Sequence, residues 1–366
     1  MLTAQSAAMS SLLRSPSKIF RPTGRAVFQR TLVVPAATAA VGAALLGDGI
    51  ARHQKHPVVH CQEQRPNGGT SATVVASGCC ESGVRFYGAR SRSVAASSCC
   101  YAVAERLHQF AVVDGIGGSD EARECATFCA RRLAPLVAQA FAAGQQAWQS
   151  GNRPQDTDAK SLWAEALTAG FQHCDMLAVQ EANGSCGALL CVVAQSGVYV
   201  ASLGLSRAVV GTEDDGGATI LCDEVSVPHS LENEAEAERL QEAGLAVAQV
   251  PNGPTRMLGG MAVKRDYPGL IVSVPDVVRH EHTSGRRFVI MASPGVWRHG
   301  PRLPLQWAVD AYRRGLNPAK AVVEHADGSD VAALVLVLNP GLGLGERGSS
   351  LAPDAITASG PSLASL

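Results

Sequence analysis

Between about Val84 and Asn339 the apolar residues follow two spacings, one of strands and one of helices. Phe110–Val113 reads as a short apolar strand that ends at Asp114. Ser119 or Asp120 then caps a helix, with Glu121 and Glu124 early and Arg131 and Arg132 later, the order that suits the helix dipole. Its apolar face holds Phe128, Leu133, Leu136, Val137 and Phe141. A second helix is predicted from about Ala159 to Ala182, where Leu162, Trp163, Ala166, Leu167, Phe171, Cys174 and Leu177 recur at helical spacing.

Strands follow. CGALLCVVAQSGVYVASLGLSRAVVG breaks at Ser196-Gly197 and at Gly204-Leu205-Ser206, which suits antiparallel hairpins. ATILCDE, from Ala218 to Glu224, extends the meander, and Glu232 to Gly244 reads as a short acidic helix ending in glycine. RRFVIMAS, from Arg286 to Ser293, and VAALVLVL, from Val331 to Leu338, are late strands, with helices expected at Leu305–Arg314 and near Pro318–Glu324. This order predicts an α+β layered domain rather than a βαβ array.

The ends differ in composition. Before Asp48 there is no acidic residue, while Arg14, Lys18, Arg21, Arg25 and Arg30 are mixed with Ser, Thr and Ala. Residues 1–55 therefore read as an organelle presequence. Within them, Thr31 to Gly47 is a stretch of 17 uncharged residues, a candidate membrane anchor slightly short of a spanning helix. Residues 56–83 include Pro66-Asn67-Gly68-Gly69 and read as a linker, and 340–366 read as a mobile tail. The tail contains GLGERG, from Gly343 to Gly348, but no helix or second strand follows to complete a dinucleotide fingerprint. The Asn183-Gly184-Ser185 sequon matters only in a secreted protein.

Composition narrows the chemistry. The chain of 366 residues is 46% hydrophobic, enough for a sizeable core. A formal net charge of −1 and 5% aromatic residues give no basis for nucleic-acid binding. The 11 cysteines form no disulfide framework. Cys79–Cys80 and Cys99–Cys100 are adjacent pairs, without the spacing of zinc sites. Two soft ligands could meet at Cys125 and Cys129, four apart on the first helix, but the sequence offers no second pair, and the cysteines read as packing residues in a reducing compartment.

The landmarks also carry a resemblance. In order along the chain stand Arg92, FAVVDGIGG, GSCGALL, GLSRAVV, RLQEAG, TRMLGG, MASPGVWRHG and GSDVAALVLV. The order and spacing resemble the metal-dependent protein serine/threonine phosphatases of type 2C, over residues 84–339. The resemblance implies a sandwich of two antiparallel β-sheets flanked by α-helices, with a metal site at one end. It implies two Mg or Mn ions that share carboxylates and activate a water for attack on a phosphoserine or phosphothreonine. Asp114 matches the bridging aspartate, the carbonyl of Gly115 a second ligand and Asp330 a late aspartate, while Arg92 matches the phosphate-binding arginine, with Arg90 as the alternative.

Other matched positions depart from the family pattern. Ala96 and Ser97 stand at its Glu-Asp pair, Ile116 at its His, and Leu205, Gly260 and Pro294 at aspartates. Val331 stands at the asparagine after Asp330. The expectation is a non-catalytic phosphatase-like domain with a weak or empty metal remnant at Asp114, Gly115 and Asp330, and no working cofactor. It would act through protein partners as a regulatory or accessory subunit in the mitochondrion, at the inner membrane if anchored, with a plastid as the alternative compartment. The rivals are an active Mg- or Mn-dependent phosphatase with an unusual ligand set, and a module that binds phosphorylated residues through Arg92. Neither a disulfide nor a zinc role has support in the sequence alone.

Overall fold

The computed structural model describes residues 58–59, 74–80, 84–91, 98–151, 158–213, 220–244, 253–282, 285–326 and 330–338. The expected presequence, its candidate anchor at 31–47, Arg92, Ala96, Ser97 and the tail lie outside these.

Two antiparallel sheets stack face to face. The first has the order β1 (Val58–Val59), β4 (Cys99–Ala104), β5 (Gln109–Gly115), β6 (Ser185–Ala194), β7 (Gly197–Leu203) and β11 (Asp276–His280), with β10 (Leu258–Gly259) also paired to β6. The second has the order β2 (Val74–Cys79), β3 (Arg85–Arg90), β13 (Ala332–Leu338), β12 (Arg287–Ala292), β8 (Arg207–Glu213) and β9 (Ile220–Glu224). The α+β sandwich expected from the sequence is what the chain forms.

Alternation along each strand fills three apolar layers. Phe110, Val112, Leu189 and Val200 of the first sheet meet Phe86, Met291, Leu334 and Leu336 of the second, which is the core between the sheets. The intervening residues Ala111, Val113 and Leu190 face helices α1 (Asp120–Gln149) and α2 (Ala159–Glu181). These supply Leu133, Val137, Leu167 and Phe171, with Phe141 stacked on Trp163 at a centroid distance of 3.7 Å. On the far side, Val209, Ile290 and Val335 pack against α5 (Arg302–Arg313) and α6 (Pro318–His325). The two remaining α-helices among the described residues are α3 (Glu234–Glu242) and α4 (Met261–Asp266).

The strand and helix starts follow from local chemistry. Ser119 caps α1 and accepts from the Ala122 N–H at 3.2 Å, and Asp158 caps α2 through the Ser161 N–H at 2.8 Å. Val58–Val59 and Val74–Cys79, both inside the stretch read as a linker, are strands. β2 pairs with β3 along its whole length, so its short, partly exposed run is stabilised by ladder bonds at a sheet edge rather than by a strong apolar pattern. Among the described residues no helix is long and apolar enough to cross a membrane.

Candidate functional site

Strand parity delivers the acidic residues to one place. Phe110 and Val112 face the second sheet, so Asp114 does too, at the end of β5. Cys99 is its direct register partner on β4 and faces the same way. Asp330 lies two residues before Ala332, which also faces the inter-sheet core. Two carboxylates from opposite sheets thus converge at one end of the sandwich.

The contacts around them come from Ser98 and Cys99, which the sequence reading did not single out as site residues. The Ser98 N–H and hydroxyl donate to Asp330 Oδ2 at 2.8 and 2.9 Å. The same hydroxyl lies 3.2 Å from the Gly115 carbonyl oxygen, and the Gly115 N–H donates to the Ser98 carbonyl at 3.1 Å. The Cys99 thiol donates to Asp114 Oδ1 at 2.8 Å and reaches the Asp330 carbonyl at 3.4 Å. Burial, joined by the nearby Asp330, pushes the Asp114 carboxyl up to about 6, against the lowering effect of the Cys99 thiol. Burial likewise raises the Cys99 thiol, with Asp114 and Asp330 adding to the effect.

The turn after Asp114 is shaped by glycine. Gly117 and Gly118 have φ of 96° and 66°, the left-handed region. Gly115 has no room for a side chain, since a Cβ there would come within 2.7 Å of the Ala122 carbonyl oxygen. The DGIGG segment can therefore pass close under the start of α1 and expose backbone at the site.

The other matched positions are occupied as follows. Ile116 is partly buried and its N–H donates to the Ser185 carbonyl at 2.9 Å. Leu205 lies in the turn between β7 and β8. Pro294 opens a short 3-10 turn after β12, where the Ser293 hydroxyl accepts from the Ala332 N–H at 3.0 Å and ties the two strand ends together. Gly260 is left-handed, with φ of 68°, at the start of α4. Val331 is fully buried against the second sheet's helices. Arg90, the alternative arginine, closes β3 opposite Ala332 and so shares its inward face, and its Nε has no hydrogen-bond partner among the described residues.

A second polar cluster lies on the loops beyond β7. Glu236 of α3 is 1% exposed and receives Arg239, Arg256 and the Thr255 hydroxyl. Arg256 continues to Asp276 at 2.7 Å, and His229 meets the other oxygen of Asp276 at 3.0 Å. His229 accepts the Gly204 N–H at Nδ1, 3.1 Å, so its Nε2 carries the proton donated to Asp276. Burial opposes the ionised form of Glu236, yet Arg256 and Arg239, with Thr255, hold it down to about 2. The short acidic helix is thus anchored through a buried acid.

Comparison with known proteins agrees with this geometry. The Protein phosphatase 2C family profile matches residues 79–327. A Protein phosphatase 2C homolog 2 of Aspergillus flavus is 28% identical over 209 residues, 53% of this chain and 42% of that protein. A probable protein phosphatase 2C 8 of rice, Oryza sativa subsp. japonica, is 32% identical over 203 residues, 51% of this chain and 47% of that protein. The crystal structure of a serine-threonine phosphatase 2C from Toxoplasma gondii superposes with a TM-score of 0.50 at 18% identity, covering 73% of this chain and 94% of that one, a likeness of fold. The chain belongs to the protein phosphatase 2C family, whose members are generally metal-dependent. It spans less than half the length of the two curated relatives named here.

Proposed function

We propose that this phosphatase 2C domain does not hydrolyse phosphoesters and acts instead through protein contacts, as a regulatory or accessory subunit. The supporting observation is the donor set at the sandwich end. A pair of hard divalent ions needs several shared oxygen anions. Here Asp114, the Gly115 carbonyl and Asp330 are already met by Ser98 and Cys99, and Ile116, Leu205 and Pro294 place apolar groups at three of the other matched positions. These residues do not fit a two-ion centre, and no hydrolytic step is assigned to them. The acid-free, basic sequence before Asp48 supports a mitochondrial address, with a plastid as the alternative.

The test is phosphate release from a phosphothreonine peptide in excess Mn²⁺. The reading expects a rate that Asp114→Ala leaves unchanged. Manganese-stimulated release abolished by Asp114→Ala would establish the rival reading, an active phosphatase with an unusual ligand set, which the names of the relatives favour. The inward position of Arg90 favours a further reading, a module that holds a phosphorylated residue. Peptide binding that survives both Arg90→Ala and Arg92→Ala would remove it. Recovery of a stable partner from detergent-solubilised organelles would support the subunit role, and recovery of none would count against it.

A further inference from the structure

Behind the carboxylates, on the opposite face of the same sheet, the chain gathers sulfur. Gly115 pairs in register with Cys186 of β6, and Cys186 faces α1 and α2. Cys125 and Cys129, one turn apart on α1, point at it. The three Sγ atoms all lie within 4.8 Å of one another, and Cys125 and Cys186 are 3.8 Å apart. Cys174 of α2 is also fully buried and interacts with Cys129 and Cys186.

We infer that Cys125, Cys129 and Cys186, with Cys174 as fourth ligand, form a thiolate site for one soft cation of the zinc type. Four sulfurs at the zinc–thiolate distance of about 2.3 Å around a tetrahedral ion sit about 3.8 Å from each other. The Cys125–Cys186 separation of 3.8 Å already has that scale. The alternative is four small apolar packing groups, since buried cysteine commonly fills that role. Packing alone requires only apolar contact, whereas here three sulfurs of one helix and a strand all lie within 4.8 Å of one another, with Cys174 of the second helix beside them. Cys191, equally buried, shows the contrast, because it lies in the core between the sheets and belongs to no such group.

Thiolate ligands choose soft cations, so this site would not serve Mg²⁺ or Mn²⁺. Binding converts the thiols to thiolates, with release of one proton each and no change of oxidation state. Lys264, beside Cys125 and paired with Asp175, offsets part of the resulting negative charge. The bound ion would clamp α1, α2 and β6 directly behind the Gly115 turn. The site is independent of whether the opposite face hydrolyses phosphoesters.

The experiment is elemental analysis of the full chain, purified under reducing conditions and dialysed against zinc. About one tightly held zinc per chain is expected, together with protection of the thiols from alkylation. Combined Cys125→Ala and Cys186→Ala substitution should weaken zinc binding by at least about 100-fold, while Cys191→Ala should not. Should the double variant fail to fold, cobalt in the unaltered chain gives the same answer through sulfur-to-metal charge-transfer absorption. Absence of zinc and of cobalt–sulfur absorption would overturn the assignment. So would zinc retained by a folded double variant, or a Cys125–Cys186 disulfide seen by mass under the same reducing conditions.

Discussion

Two places in this molecule bring carboxylates together, and they satisfy them in opposite ways. Glu236 and Asp276 sit among Arg239, Arg256 and His229, and both are held down to about 2, Asp276 chiefly by its hydrogen bond from His229. Asp114 faces a thiol and another carboxylate, and burial raises it to about 6. Asp114 lies near the end of β5 and Asp276 opens β11, while Glu236 lies on α3; one cluster carries its own cations, whereas Asp114 is met by a thiol. A carboxylate held by guanidinium groups is a structural tie. A carboxylate that burial drives toward its protonated form has no cation beside it to hold it ionised.

Substitutions should separate the two clusters. Glu236→Ala removes the buried acceptor shared by Arg239, Arg256 and the Thr255 hydroxyl, although Arg256 keeps Asp276, and should lower the unfolding free energy by about 3 kcal/mol in urea denaturation. The value is at the low end of the range for broken buried pairs because Arg239 and Arg256 keep 27% and 13% of their side-chain surface exposed. Asp114→Asn should act the other way and raise the stability of metal-free protein at neutral pH by about 2 kcal/mol, since it removes a charge that burial disfavours. Ser98→Ala removes a hydroxyl that bonds both the Gly115 carbonyl and Asp330, and should cost about 1 kcal/mol.

The pH dependences have opposite signs as well. Glu236 falls from 4.5 to about 2 on folding, so its stabilisation is complete above about 4.5 and is lost as the pH drops toward 2. Asp114 rises from 3.8 to about 6, so the folded state binds more protons in between, and stability declines as the pH climbs from about 4 to about 6. Unfolding curves of the two variants against the parent chain should each flatten in its own window.

Much of the fold was legible because its signals are local. The run into Asp114, the Ser119 cap, the periodic face of α1 and the hairpin breaks at Ser196-Gly197 all lie within one element or its turn. Cys99–Ala104 was hidden because it is buried on both faces and shows no alternation, and its cysteine pair drew attention to sulfur chemistry instead. Ser98 was invisible as a site residue because its partner Asp330 lies 232 positions away. Glu236 is one acid among several on a short acidic helix, and only the tertiary approach of Arg256 and Thr255 distinguishes it as buried. Cys125 and Cys129 were legible as a pair, but Cys186 joins them solely through the register of β5 with β6.

On the proposed function, the Asp114 end of the sandwich does not hold a pair of hard cations. The decisive experiment is a calorimetric titration of the full chain with Mn²⁺, repeated on Asp114→Ala. No saturable two-ion binding and no difference between the two proteins are expected. Two ions bound per chain, lost on substitution of Asp114, would contradict it.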